Sequence, residues 1–291
     1  MNELMLRTPA KINLCLSVLG KRPDGYHEVE MVMQAVGLYD QVMVRLAESG
    51  ITVRCDSAAI PEGEGNIAYR AAREMLDLSE RTSGIAIEIK KNIPVAAGLG
   101  GGSSDAAAVL VACNVLLGAG LDRDGLARIG TRLGMDVPFF LFGPTALAKG
   151  RGELLTGLPS PSKFWVLLVN PGFETSTAWV YNNLNFGLTK KGDCTNIAGL
   201  KVSQIAHSLH NDLETVTASA HTVIGVMERS LLDAGALGAC MSGSGPTVFG
   251  IFESEAACRA AEQELHTNGW RLYPAETLTG PLYGEHLRSA P

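Results

Sequence analysis

At 291 residues with 46% hydrophobic composition, the chain is long enough for one large or two ordinary globular domains with real cores. Its formal charge of -6 comes without a run of Lys or Arg, which argues against a broad nucleic-acid or anionic-membrane face, and no apolar run reaches the roughly 18 to 20 residues that span a bilayer. The six cysteines, Cys15, Cys55, Cys113, Cys194, Cys240 and Cys258, are scattered without a C-x-x-C pair, so the expectation is buried thiols in a reducing cytoplasm, with no zinc site and no disulfide framework. The opening MNELMLRTPAK lacks the charged-then-apolar layout of a signal peptide, which again points to a cytoplasmic protein.

In PAKINLCLSVLG, Ile12, Leu14, Leu16 and Val18 alternate with Lys11, Asn13, Cys15 and Ser17, the period-two pattern of a strand with one buried face. Lys11 and Asn13 therefore share a side. RPDGYHE reads as an Asp-Gly turn, and VEMVMQAV, QVMVRL and ITVRC continue a sheet expected to be antiparallel. GNIAYRAAREMLDL predicts a helix that Asn66 can cap, and SGIAIEIKKNIP a strand that delivers the chain to Pro94 and a loop with four glycines in five residues. Beyond the loop an alanine-rich helix is expected, with Ser103 or Ser104 as N-cap, Asp105 in the first turn and Gly118 as the stop.

RDGLARIGTRL predicts a second helix ending at Gly134, and in GMDVPFFLFG Pro138 is expected to hold the chain extended just after Asp136. The polar, proline-rich break TGLPSPSKF marks a domain boundary that divides residues 1–155 from 156–291. A buried strand WVLLVNPG follows, then helices over STAWVYNNL and LETVTASAHTVIGVMERSLLDAG, a strand–loop–strand LGACMSGSGPTVFGIF, a helix SEAACRAAEQELH and a last strand near WRLYPAETL. The fold class is α+β. The last strand or the tail GEHLRSAP either packs back on the first domain or is loose.

Glycines without Cβ atoms let successive N–H groups converge on phosphate oxygens, and a helix opening straight after them adds its positive end. One or two glycines suffice for a tight turn, so four in five residues favour a phosphate cradle. No lysine stands where a Walker A loop needs one, and Ser103 occupies the third glycine's place of a dinucleotide fingerprint begun at Gly98 and Gly100, so both are rejected. The H-R-D and D-F-G tripeptides of protein kinases are absent as well.

PVAAGLGGGSSDAA resembles the ATP-binding motif of the GHMP kinases, the family of galactokinase, homoserine kinase and mevalonate kinase. TPAKINLCLSVLGKRPDGYHEVEMVMQ early and MSGSGPTVFGIF late fit the same family, so the resemblance runs from end to end. It implies a two-domain GHMP kinase fold: an amino-terminal domain like the second domain of a small-subunit ribosomal protein, and a ferredoxin-like carboxy-terminal domain. ATP is then the phosphoryl donor and carries Mg²⁺. Pro94, Val95, Ala96, Ala97, Gly98, Leu99, Gly100, Gly101 and Gly102 would cradle the phosphates with Ser103 and Ser104, either of which can place a hydroxyl near the metal. Ala96 and Ala97 stand where glycine is frequent in the family, and Met135 where a smaller residue is usual.

The resemblance further implies Asp136 as general base and Lys11 as the cation that keeps it ionised and stabilises developing charge. Without it, Asp136 reads equally as a turn carboxylate and Lys11 as a solvated strand charge. DGYHE, GMDVPFF and NDLE narrow the match to kinases of a cytidine-diphosphate-linked methylerythritol, phosphorylated at its 2-hydroxyl on the non-mevalonate route to isoprenoid precursors. On that reading Asn13, Tyr26 and His27 meet the substrate and Tyr181 closes over the base, unless Tyr181 belongs to a helix core. Asn66 and Lys91 match positions near adenosine, and each reads equally as a helix cap and a loop charge; Gly243 and Gly245 let the second domain approach the substrate, or simply turn a hairpin. The rivals are a mevalonate or homoserine kinase and a non-catalytic nucleotide-binding module. The expected partners are small molecules only, with the chain a monomer or weak homodimer.

Overall fold

The computed structural model describes every residue except 80–82, 188, 190–193, 195–198 and 288–291; nine of the twelve residues of LTKKGDCTNIAG and the end of the tail lie outside it. Two long strands, β1 (Glu3–Lys21) and β2 (His27–Ala47), form an antiparallel pair joined at the Asp-Gly turn, where Gly25 takes a φ of 85°. The register slips between Asn13 and Cys15, so the strand bends just beyond the Lys11 and Asn13 side chains. Strand β4 (Gly84–Lys90) pairs with the second half of β2 and β5 (Thr145–Gly150) with its first half. One continuous β2 therefore replaces the two stretches expected from the sequence.

Strand β3 (Ile51–Cys55) lies parallel to β4, against the antiparallel expectation. The cause is the helix between them, α1 (Ile67–Asp77), which acts as a crossover and returns the next strand in the same direction. Asn66 caps α1 by accepting from the Ala68 N–H at 2.8 Å. Helix α2 (Gly101–Leu117) is apolar on every side and accordingly lies in the middle of the first half, packed against β1, β2, α1, α3 (Arg123–Leu133) and α4 (Val137–Phe142).

Three local expectations around these helices are corrected. Gly100, not Ser103 or Ser104, occupies the N-cap of α2 in the left-handed region, so Asp105 falls in the second turn and is buried. Pro138 does not keep the chain extended: it sits in the first turn of α4, where a missing N–H leaves no bond broken. Asp136 is the helical-region N-cap of α4, with φ -86° and ψ -13°.

Beyond β6 (Leu154–Gly157), which pairs with β5, the chain builds a second, antiparallel sheet in the order β11-β7-β10-β9 from β7 (Trp165–Asn170), β9 (Gly238–Met241), β10 (Val248–Phe252) and β11 (Arg271–Glu276). Helix α9 (Glu255–Leu265) covers it. The stretch read as one long helix is two, α7 (Glu214–Ala220) and α8 (Val223–Asp233). Between them the His221 ring packs on Phe173 at 4.5 Å and its backbone leaves the helical region. Helices α5 (Thr177–Asn182) and α6 (Val202–His207) lie between the sheets in sequence, and α6 had no periodic signal long enough to read.

Two stitches bind the halves. Strand β8 (His210–Asn211) adds to the far edge of β1 in parallel, and Asp212 accepts the Val18 N–H at 2.7 Å. After β11, Thr277 bridges Val36, the Gln34 side chain donates to the Leu278 carbonyl at 2.9 Å, and the Tyr283 hydroxyl donates to the Ser104 carbonyl at 3.3 Å.

The cysteines require a further correction. Cys15 on β1 and Cys194 form a disulfide, while Cys55, Cys113, Cys240 and Cys258 remain thiols. A pair 179 residues apart leaves no spacing signature, because it is β8 that brings the second half alongside Cys15. Thiol titration of the protein unfolded without reductant is expected to count four thiols, rising by two after reduction. Six thiols in protein purified and unfolded under oxidising conditions would contradict the bridge.

Candidate active site

The chain leaves β4 at Lys90 and runs through Pro94 to Gly100 before α2 opens. Three residues of this loop adopt positive φ: Ala96 at 48°, Gly98 at 78° and Gly100 at 72°. At Gly98 a Cβ would stand 2.0 Å from the Ser242 carbonyl oxygen, and at Gly100 one would meet Lys11 Cγ and Phe140 Cζ at 3.0 Å. The loop is thus wedged between β1 and the β9–β10 connection. Lys11 N–H donates to the Leu99 carbonyl (3.0 Å), the Ser242 hydroxyl to the Gly98 carbonyl (2.9 Å), and the Thr175 and Thr247 N–H groups to the Ala96 and Ala97 carbonyls (3.3 and 3.4 Å). With its carbonyls turned to these donors, the loop can leave N–H groups for a ligand.

The loop forms one wall of a cleft of about 880 Å³ between the two sheets. Pro94 to Gly98 and Gly100 to Ser103 line it, and the N–H groups of the first turn of α2, which have no partner within a helix, open on the same space. Leu99 points into the core and Ser104 is fully buried with no partner for its hydroxyl among the described residues, so neither reaches the cleft. Asn66, which caps α1 and donates to the Pro61 carbonyl at 2.8 Å, and Gly245, in a tight turn against Met241, do not line the cleft either.

Lys11, Asn13 and Asp136 meet at the centre. Lys11 is 4% exposed; its Nζ donates to Asn13 Oδ1 at 2.7 Å and stands 3.9 Å from Asp136 Oδ2. Burial pushes the Lys11 pKa down, and the Asp136 charge works against that. Gly243 of the β9–β10 connection comes so close that a Cβ there would lie 3.2 Å from Lys11 Nζ, and Asn211 fixes this connection through the Met241 and Gly243 carbonyls at 2.7 and 2.8 Å.

One end of the cleft is aromatic. Tyr26 is half exposed, with the Arg151 guanidinium 4.9 Å from its ring centre, and His27 is buried against Tyr181 at 4.9 Å and Phe186 at 5.8 Å. Tyr181 lines the cleft and also packs against the core, and burial with the charge of Asp136 raises its phenol above the ordinary range. Burial and then the charge of Lys21 lower the His27 pKa, which keeps the ring neutral at pH 7. Arg151, Thr175 and Met31 were missed as cleft residues from sequence; only a β5–β6 turn rich in glycine, GRGE, could have hinted at the first.

Lys91 lines the cleft near Gly101, but its ammonium is bound to Asp40 and, at 2.8 Å, to Asp105. Burial lowers its pKa, and the two carboxylates outweigh that and hold it above the ordinary value. Asp105 is pushed up to about 7, by burial first, against the pull of Lys91 and with the added push of Asp40. Among the described residues no group of three His, Cys, Asp or Glu side chains could hold a metal ion by itself.

Residues 66–144 match the family described as the GHMP kinases N terminal domain, and residues 197–270 the GHMP kinases C terminal family. The 4-diphosphocytidyl-2-C-methyl-D-erythritol kinase of Pelobacter propionicus is 51% identical over 282 residues, covering 96% of this chain and 100% of that one, and its namesake in Geobacter metallireducens is 49% identical with the same coverage of each. A crystal structure of 4-(cytidine 5'-diphospho)-2C-methyl-D-erythritol kinase superimposes with a TM-score of 0.84 at 32% identity, over 95% of this chain and 100% of the other. The homoserine kinase of Cytophaga hutchinsonii, at 22% identity and a TM-score of 0.74 over 97% and 96%, shares the fold.

Gly98→Ala is expected to destabilise the protein by at least about 2 kcal/mol in urea unfolding, since the new methyl meets a backbone oxygen in addition to the left-handed penalty. Gly102→Ala, whose nearest obstacle is Ile67 Cγ2 at 3.8 Å, is expected to stay within about 1 kcal/mol of the parent. Equal stabilities for the two variants would show that the crossing at Gly98 is not tight.

Proposed function

This chain belongs to the GHMP kinase family, and from that premise we propose that it transfers the γ-phosphoryl group of ATP to the 2-hydroxyl of 4-diphosphocytidyl-2-C-methyl-D-erythritol, a step in making isoprenoid precursors. The observation that carries the chemistry is the meeting of Lys11 and Asp136, 3.9 Å apart, between the glycine loop and the aromatic end of the cleft. A donor phosphate on the loop and a pyrimidine at Tyr26 and His27 place the acceptor hydroxyl between them.

Asp136 accepts the hydroxyl proton as the oxygen attacks the γ-phosphorus; the bond to the bridging oxygen breaks, and ADP leaves with that electron pair. Lys11, facing Asp136 and aimed by Asn13, offsets charge on the transferred oxygens. The loop and first-turn N–H groups hold the remaining phosphates. The Ser103 hydroxyl lines the cleft at the opening of α2, and with no group of three metal-binding side chains among the described residues the site fits a magnesium ion arriving on ATP rather than a cage built by the protein. When bound, the ion supplies charge neutralisation between the donor's phosphates.

The aromatic end selects the acceptor. A neutral His27 has one donating and one accepting ring nitrogen, either of which suits one group on the amino and ring-nitrogen edge of cytosine, while Tyr181 and Phe186 fix its plane. The exposed Tyr26 face is available for stacking, and Arg151 adds positive charge beside it. Mevalonate and homoserine have no use for such a surface. We assign residues 1–155 and 156–291 to two domains that share the cleft, in a protein that works in the cytoplasm as a monomer or weak homodimer.

With Mg-ATP, ADP release is expected with the cytidyl acceptor and not with mevalonate or homoserine; faster turnover of either competitor would overturn the acceptor assignment. Asp136→Asn is expected to lower kcat by about 10²- to 10⁴-fold while the Kd for ATP changes less than about threefold. Near-normal turnover would remove Asp136 from the base role.

A further inference from the structure

We infer that Asp40 is a positioning residue for the glycine loop, acting through the Asn92 and Ile93 N–H groups and the Lys91 ammonium and not by contact with the nucleotide. The inference rests on the reading of that loop as the phosphate site.

Asp40 lies inside β2, opposite Thr8 of β1, and is fully buried. A carboxylate in such a place is costly unless it is paired and hydrogen-bonded. Its partners come from three consecutive residues that directly precede Pro94: Oδ1 accepts the N–H groups of Asn92 at 2.6 Å and Ile93 at 2.8 Å, and Oδ2 accepts Lys91 Nζ. Two peptide planes are thereby aimed at the point where the loop departs.

The far side of the loop is tied to the same ammonium. Lys91 Nζ donates to Asp105 Oδ2 at 2.8 Å, and Asp105 Oδ1 takes the Thr8 hydroxyl at 2.9 Å, so the second turn of α2 is held by the cation that Asp40 holds. This fixes the span between the loop's two ends. A Cβ on Gly101 would lie 3.2 Å from Lys91 Nζ, which places the ammonium beside the first turn of α2, where the two carboxylates restrain it from swinging into the cleft. Asp40 itself does not line the cleft, so any effect it has on a phosphate must pass through the loop.

Calorimetric titration with ADP and with adenosine separates this role from general support. For Asp40→Asn, which keeps an acceptor for the N–H groups but removes the charge facing Lys91, the Kd for ADP is expected to rise about tenfold and that for adenosine to stay within about twofold. Thr145→Val, which deletes a buried hydrogen bond to Gln34 on the opposite side of the sheet, is the control: it should lower Tm and leave the ADP-to-adenosine ratio alone. An Asp40→Asn protein that also loses only Tm overturns the inference. Should that variant not fold, amide exchange in the unaltered, ligand-free protein decides, since Asn92 and Ile93 amides exchanging within about tenfold of the free-peptide rate would show that Asp40 does not hold them. Failure of the unaltered protein to bind ADP at all would instead overturn the kinase reading.

Discussion

The two sheets are brought together at a backbone crossing. Gly98 passes under Ser242, accepting its hydroxyl at 2.9 Å with no room for a methyl group between the chains. Nearby Ala96 shows which physical term matters: at φ 48° it tolerates the left-handed region at a cost of about 1–2 kcal/mol, because space is available there. At Gly98 the demand is for space. The glycine of the loop before α2 that touches the second half is thus required by packing between halves as much as by any ligand, and the cleft exists because the loop and the β9–β10 connection are locked at this height.

A chain of formal charge -6 must meet a polyphosphate with charges placed one at a time. Lys11 is buried and faces Asp136; Lys91 is fixed between two carboxylates; Arg151 stands over Tyr26 and is bound at Nε by Glu153 at 3.2 Å. In each case an acidic partner limits where the cation can go. Together with the opening of α2, these placed cations can meet a polyphosphate without a basic surface, which is why composition carried no trace of them.

What the sequence made legible was what repeats locally. Strand alternation placed Lys11 and Asn13 on one side, and their side chains do touch at 2.7 Å; the glycine spacing located the loop, and four terminal elements of the second half were read at their observed places. What escaped depended on partners distant in the chain. The direction of β3 was set by the crossover through α1, the helix at Pro138 by tolerance of proline in a first turn, and the break at His221 by a ring on Phe173. The Cys15–Cys194 pairing, Arg151 beside Tyr26, and the burial of Leu99 and Ser104 beside a loop whose other residues face the cleft are likewise facts of tertiary contact. The family resemblance bridged part of that distance because it carried information about the assembled site.

The short strand β8 has a consequence for how the protein is made. One edge of β1 is filled by β2, its neighbour in sequence, but among the described residues the other is completed by His210 and Asn211, with Asp212 capping the Val18 N–H. During synthesis this edge stays open until about 200 further residues have emerged, on the order of 10 to 40 seconds at ordinary elongation rates. The side chains of this segment, Leu14 to Val18, are all buried in the finished fold, so the nascent amino-terminal half carries an exposed, adhesive strand edge there that the finished protein does not have.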